Sequence, residues 1–150
     1  FGDKYSKPMN CSVDTKDGSK TFVKMGSYGI GVSRLVAAVI EAKYNNEKMK
    51  WPKSISPFDI VIIPSINKKD DTNLKTALNI YKELKSKNID VLIDDVDENM
   101  ANKFKKHDLL GIPFQIIIGS KKEKEKFEFK EIDKASKMLD LTNIIKTLKN

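Results

Sequence analysis

The sequence predicts an α/β fold, and three observations carry the prediction. From residue 58 onward, short apolar runs rich in β-branched residues alternate with segments of helical periodicity. The connections between them are short, so the order strand, helix, strand, helix, strand implies a sheet whose first three strands run parallel under a cover of helices. Residues 1–50 lack that alternation and carry a turn signal followed by one amphipathic helix. They read as a hairpin-plus-helix piece of a different architecture.

Each element has its own local reason. Phe1 rather than Met opens the chain and FGDKYS (1–6) holds no start signal, so a cut N-terminus is expected. Asp17-Gly18 lies between two segments able to be strands, a strong signal for a tight hairpin turn. The second segment, 21–25, alternates and runs into Gly26-Ser27-Tyr28-Gly29-Ile30-Gly31. Val32, Leu35, Val36, Val39 and Ile40 come next at i, i+3, i+4, i+7 and i+8, which predicts a helix with one apolar stripe facing a core. The pattern fades at Tyr44-Asn45-Asn46. Trp51-Pro52 and Ser56-Pro57 mark a linker over 51–57, because each proline turns its predecessor away from helical dihedrals. The expected domains are therefore 1–50 and 58–150.

In the second of these, FDIVII (58–63), ended by Pro64, predicts a buried strand. Residues 70–87 predict a helix with Leu74, Ala77, Leu78, Tyr81 and Leu84 on one face and acidic residues at its start, where the helix dipole favours them. A second strand is expected over 89–93, followed by the acidic cluster Asp94, Asp95, Asp97 and Glu98. A second helix over 99–110 stops at Gly111, and a third strand spans 112–118. The Lys/Glu run 121–126 predicts a solvated turn, Phe127-Glu128-Phe129 an edge strand, and 142–148 a last helix.

Composition narrows the function. The single cysteine, Cys11, excludes a disulfide framework and a multi-cysteine zinc site, and reads as an ordinary buried or half-buried thiol. No apolar run reaches the ~18–20 residues of a membrane span, so a cytosolic protein is expected. Lys plus Arg is 28 against 21 for Asp plus Glu, a net charge of +7. A basic chain attracts polyanions and nucleic acid is a permitted partner, although AT-rich coding drift produces the same lysine excess. All but one of the 28 basic residues are lysine. Arg34 stands alone, which suggests a place where a planar fork of donors cannot be replaced by a point charge.

The stretch GSYGIGVSR (26–34) is the most informative. Small residues after a strand let the backbone approach a ligand, and the helix start beyond them offers unpaired N–H groups to an anion. A dinucleotide fingerprint fails because Arg34 stands where the third glycine belongs and no acidic residue closes a second strand at the required spacing. A Walker loop fails because no Gly-Lys-Ser/Thr occurs. Taken alone, the pattern reads first as packing glycines beside a surface arginine.

YGIGVSRLVAAVIE (28–41) resembles motif 3 of class II aminoacyl-tRNA synthetases, in the form carried by bacterial-type prolyl-tRNA synthetases. FGDKYS resembles the strand entering the last part of that catalytic core, and WPKSISPF (51–58) the junction with the anticodon-binding domain. VLIDD (91–95) and KFKKHDLLGIP (103–113) resemble the middle of that domain. The resemblance implies a three-layer α/β/α anticodon-binding domain with a five-stranded mixed sheet. Before it would come a β-hairpin-plus-helix remnant of the antiparallel catalytic core.

It further implies proline activation by ATP, with Mg²⁺ helping to neutralise the phosphates and no prosthetic group, then transfer to proline tRNA by a cytoplasmic homodimer. Arg34 would be the catalytic and ATP-binding arginine, stacking on adenine and reaching the γ-phosphate. Gly29 and Gly31 would keep side chains out of the ATP site, and Gly26, Ser27 and Tyr28 would line the amino-acid pocket. Ser27 stands where many relatives carry cysteine. The anticodon would be read from Asp94 and Asp95 with Lys103, Phe104, Lys105 and Lys106, carboxylates accepting from guanine edges and lysines tracking phosphates. Val96 stands where relatives often carry arginine and Met100-Ala101 where they often carry Pro-Gly. Phe104 reads first as a core residue, and the acids read equally well as a solvated cluster.

Motif 2 would supply a second arginine to the α-phosphate, and this sequence has none. The chain alone is therefore expected not to form an adenylate. Two other readings stay open: a non-catalytic synthetase-like protein binding RNA or a partner, and an α/β domain binding a small nucleotide at its strand ends. His107, the only histidine, reads as a surface or helix-packing residue with no metal or triad partner nearby. Trp51 reads as an anchor for the linker.

Overall fold

A computed structural model describes residues 1–46, 48–67, 70–119 and 125–149. Its contacts divide into two units, Phe1–Val36 and Ala37–Asn150. Of the turn expected at 121–126, residues 121–124 lie outside the described residues.

In the first unit, β1 (Ser12–Asp14) and β2 (Lys20–Phe22) pair antiparallel, with Ser12 opposite Phe22. The Asp17-Gly18 turn closes them as its sequence predicts. Gly18 sits at φ 82°, and Thr15 N–H donates to Ser19 O at 2.8 Å. Asp17 accepts from the hydroxyls of Thr15 and Ser19, which lower its pKa to about 2. The second strand is shorter than expected: beyond Phe22, Val23 N–H donates to Cys11 O at 3.2 Å and Met25 forms an isolated bridge to Gly2. Cys11 is exposed, against expectation.

The helix α1 (Val32–Lys43) forms where predicted, but none of its residues is buried. Val32, Leu35, Val36 and Ile40 are exposed. The stripe is present at helical spacing, with Val39 half-buried and the other four residues exposed.

The second unit is built on β3 (Ile60–Pro64), in which every residue is buried. Around it the sheet runs β4 (Val91–Ile93), β3, β5 (Phe114–Ile118), β6 (Lys126–Glu131), β7 (Lys137–Asp140). β3 pairs parallel with β4 and β5, and β6 pairs antiparallel with β5 and β7. The parallel trio and the five-stranded mixed sheet are as expected. The strand at 127–129 is not an edge, however. β7 covers it, and KMLD is too short and too polar to announce itself as a strand.

Alternate residues of β3 feed two cores. Ile60 and Ile62 join Ala77, Ile80 and Leu84 of α2 (Thr72–Ser86) and Ile144 and Leu148 of α4 (Leu141–Lys149). Val61 and Ile63 pack on the opposite face with Met100 and Phe104 of α3 (Met100–Leu110) and with Ile112. These are the three layers. Ile80 is buried in the face where Leu78 was expected, and Leu78 is exposed. The stripe runs through 77, 80, 81 and 84, which leaves Leu78 on its flank.

Gly111 ends α3 in the left-handed region at φ 73°, its N–H donating to His107 O. The segment ahead of the expected linker is bonded to that helix end. Met49 N–H donates to Asp108 O, Trp51 N–H to Gly111 O, and the Trp51 indole to Leu110 O at 3.0 Å. Trp51 is thus an anchor, and its unit begins well before 58. A Cβ on Gly111 would stand 2.6 Å from Met49 Cγ and 2.7 Å from Met49 O. Gly111→Ala should therefore cost this unit about 1–3 kcal/mol, through overpacking and left-handed strain. Urea unfolding followed by Trp51 fluorescence checks this, and an unchanged midpoint would refute the strap.

Candidate nucleic-acid interface

The chain leaves β3 through α2 to reach β4 on one side, and returns through α3 to β5 on the other. In an open α/β sheet the crevice outside the carboxyl ends of such strands, where the order reverses, is the preferred binding position. Here it is framed by Ser65 after β3, by Asp94 and the segment to Asn99 after β4, and by Gly119 after β5. Asn73 Nδ2 holds Ser65 O at 3.1 Å, and Ser65 N–H donates to Ile118 O. No glycine-rich phosphate loop occurs after β3. A cavity of about 490 Å³, lined among others by Tyr44, Trp51 and Phe114, lies at the opposite end of the sheet.

One cluster organises this face. Lys103, Lys106 and His107 stand at i, i+3 and i+4 on α3, so they share a side of the helix. All three meet Asp94. Lys103 Nζ donates to Pro64 O and to Asp94 O, each at 2.9 Å, and lies 3.8 Å from Asp94 Oδ1. His107 Nε2 and Lys106 Nζ both reach Asp94 Oδ2 at 2.7 Å. Lys106 also lies 3.5 Å from Glu98. Asp94 Oδ1 accepts from Val96 N–H at 3.3 Å, and Asn99 caps α3 by accepting from Asn102 N–H.

Burial and partners set the protonation states. Burial alone would raise the Asp94 pKa, but hydrogen bonds from Lys106 and His107 and the Lys103 charge outweigh it and hold the carboxyl below 3.8. Burial lowers the pKa of His107 below 6.5 against the pull of Asp94. His107 is therefore a neutral ring whose Nε2–H donates to Asp94. Its Nδ1 has no hydrogen-bond partner among the described residues. Burial likewise lowers the pKa of Lys103, opposed by Asp94. Lys106 is raised, chiefly by its bond to Asp94.

Several expected contacts are therefore corrected. Lys103 is 0% exposed, so it cannot track a phosphate. Asp94 is buried with both oxygens engaged, so it shapes the loop rather than meeting a base edge. Phe104 packs in the α3-side core and is no stacking platform. Asp95 and Lys105 are exposed, and the Lys106 side chain is 38% exposed. His107, expected at the surface or packing on a helix, is buried and a member of the cluster. Three polar residues sharing one helix face was the signal that could have found it.

In the first unit, Gly26–Gly31 has no regular secondary structure and Arg34 lies in the first turn of α1. Arg34 is exposed, and no hydrogen bond or ion pair engages it among the described residues. Tyr28 is 97% exposed, and its ring lies over Gly26, where a Cβ would stand 3.0 Å from it. Gly29 has open space on its Cβ side, and a Cβ on Gly31 would meet only Arg34 Cβ at 3.5 Å. The segment presents its arginine and its bare backbone to solvent. No group of three or more His, Cys, Asp or Glu is placed to hold a metal ion among the described residues. No helix among them is long and apolar enough to cross a membrane.

Residues 59–150 match the family model described as the anticodon binding domain. The chain belongs to that family. The anticodon-binding domain thus comprises the mixed sheet, its three helices and the buried cluster. Over 150 residues the chain is 55% identical to a proline–tRNA ligase of Pelagibacter ubique (strain HTCC1062), covering 99% of this chain and 34% of that protein. It is 40% identical over 149 residues to the proline–tRNA ligase of Sulfurihydrogenibium sp. (strain YO3AOP1), covering 99% of this chain and 26% of that protein. The chain spans about a third or less of the length of these relatives. A crystal structure of prolyl-tRNA synthetase from Cryptosporidium parvum, complexed with L-proline and AMP, superposes with a TM-score of 0.68. At 19% identity it covers 99% of this chain and 32% of that one, which supports the fold.

The cluster makes stability depend on pH. His107 and Asp94 both have lowered pKa values in the folded state, so between folded and unfolded values the unfolded chain binds more protons and stability rises with pH. The His107 contribution is complete above 6.5 and is lost as pH falls toward its folded value; the Asp94 contribution is complete above 3.8 and lost below. Urea unfolding across this range should show stability declining from pH 6.5 downward, with a flatter decline in His107→Gln. Equal slopes in both proteins would remove His107 from the linkage.

Proposed function

We propose that the chain is the C-terminal portion of a proline–tRNA ligase, holding part of the ATP and proline site and the domain that reads the anticodon of proline tRNA. One observation carries this reading: the Pelagibacter ubique relative matches across 99% of the chain at 55% identity, so the segment holding GSYGIGVSR and the anticodon-binding domain both align within one such protein.

In this reading Arg34 lies against the adenine and donates its fork of hydrogen bonds to the γ-phosphate. Its exposure and lack of a protein partner suit that role. Gly29 and Gly31 leave the backbone open to the nucleotide, and Gly26, Ser27 and Tyr28 border the amino acid. Mg²⁺ would accompany the ATP phosphates and help neutralise them. At the strand ends Asp95 accepts from base edges, while Lys105 and Lys106 follow the phosphates. A cytoplasmic location and a homodimeric parent rest on the resemblance alone.

Binding of the chain to a proline tRNA transcript and to an anticodon-swapped control, measured across salt, tests the RNA reading. The proline anticodon should be preferred at moderate salt. Lys105→Met should weaken both RNAs alike and reduce the salt slope by about one. Equal binding that vanishes with salt would mean that the +7 charge only gathers phosphates.

The catalytic half has its own test. With one arginine in the chain, one arm of an electrostatic clamp cannot organise the transition state. The 150 residues alone should give no proline-dependent ATP–pyrophosphate exchange, and exchange above background would overturn this division of roles.

A further inference from the structure

We infer that Lys103 is a positioning residue for anticodon reading: from inside the protein its ammonium sets the course of the loop at 94–99, and so the base preference, without touching RNA. The inference rests on the RNA-reading function proposed above.

Lys103 Nζ binds the carbonyl oxygens of Pro64 and Asp94. Pro64 is the last residue of β3, and Asp94 is the first after β4. The backbone pairing of these neighbours ends there, with Ile62 opposite Ile93 and Asp94 N–H donating to Ile62 O at 3.0 Å. Beyond that point a side chain replaces the ladder. One ammonium ties the two chains together where both leave the sheet, at the mouth of the crevice.

The loop beyond Asp94 depends on that tie. Asp94 Oδ1 accepts from Val96 N–H, Val96 O accepts from Glu98 N–H at 3.0 Å, and Lys106 bridges Asp94 and Glu98. These contacts lead back to Asp94, whose backbone is held by Lys103 and whose carboxylate is held by His107 and Lys106. The exposed groups at the crevice, Asp95 and Val96, are carried on this frame.

Stability is a weak account of such a cluster. Buried ion groups can often be exchanged for apolar residues with no loss, whereas losing one partner is costly. Fixing one loop conformation accounts for the buried charge, because a hydrogen-bonding group must be placed correctly to distinguish bases.

The test compares the unmodified chain with Lys103→Met on the proline transcript and the anticodon-swapped control across salt, with folding checked at the assay temperature. The expected result is a discrimination ratio reduced about tenfold, the value of one misplaced charged hydrogen bond. The salt slope should be unchanged, because Lys103 is not at the surface. A merely structural role would lower the melting temperature and leave the ratio among folded molecules intact, which would overturn the inference. A slope reduced by about one with the ratio preserved would overturn it too, by showing a phosphate contact. If Lys103→Met does not fold, Lys103→Gln carries the test: it is neutral, keeps a donor for one carbonyl and should lose part of the discrimination. Should the unmodified chain itself fail to discriminate, the RNA reading falls first and this inference with it. An unmodified chain that discriminates beside a variant that does so equally well removes only the role of Lys103.

Discussion

The ammonium of Lys103 lies inside the protein, and the carboxyl end of the sheet is arranged around it. A buried cation is costly unless it is paired and hydrogen-bonded. Here two main-chain carbonyls and the carboxylate of Asp94 supply that compensation. Asp94 is buried in turn and is satisfied by Lys106, His107 and Val96 N–H. The result is a knot of polar groups linking β3, β4 and α3. The one group it leaves open is His107 Nδ1, which has no partner among the described residues.

The rest of the larger unit is what allows that knot to exist. β3 is buried on both faces and lies inside the sheet between β4 and β5, and its alternate residues bind α2 and α4 on one side and α3 on the other. α3 is therefore pressed against the sheet with its polar face over the strand ends. Its far end is fixed as well, because the left-handed Gly111 admits Met49 against the backbone. One helix thus bears the cluster along one face and the strap at its terminus. The antiparallel pair β6 and β7 completes the sheet away from the crevice.

The two units place their chemistry differently. The first offers an unpartnered guanidinium and bare glycine backbone to solvent. The second buries its most conspicuous lysine and leaves Asp95, Lys105 and part of Lys106 at the surface. Net charge says nothing of this distinction. Chemically equivalent lysines on one turn of α3 serve as an internal clamp, an exposed cation and a bridge between two acids.

Much of this was legible in the residues. The β-branched runs, the helical stripes, the Asp-Gly turn and the stop at Gly111 each have a local cause, and local causes are written in adjacent residues. The parallel trio was implied by the order of elements and the short connections. β7 was not legible, because KMLD becomes a strand only when β6 offers it an edge. Neither was the burial of Lys103. A lysine beside an acidic cluster looks solvated in sequence, and only the packing of α3 on β3 and β4 removes its water. The sequence by itself determined every helix and all the strands but β7, and that the chain carries the pattern of an anticodon-binding domain. The tertiary structure decided which of its charged residues face outward, because burial depends on segments distant in the chain.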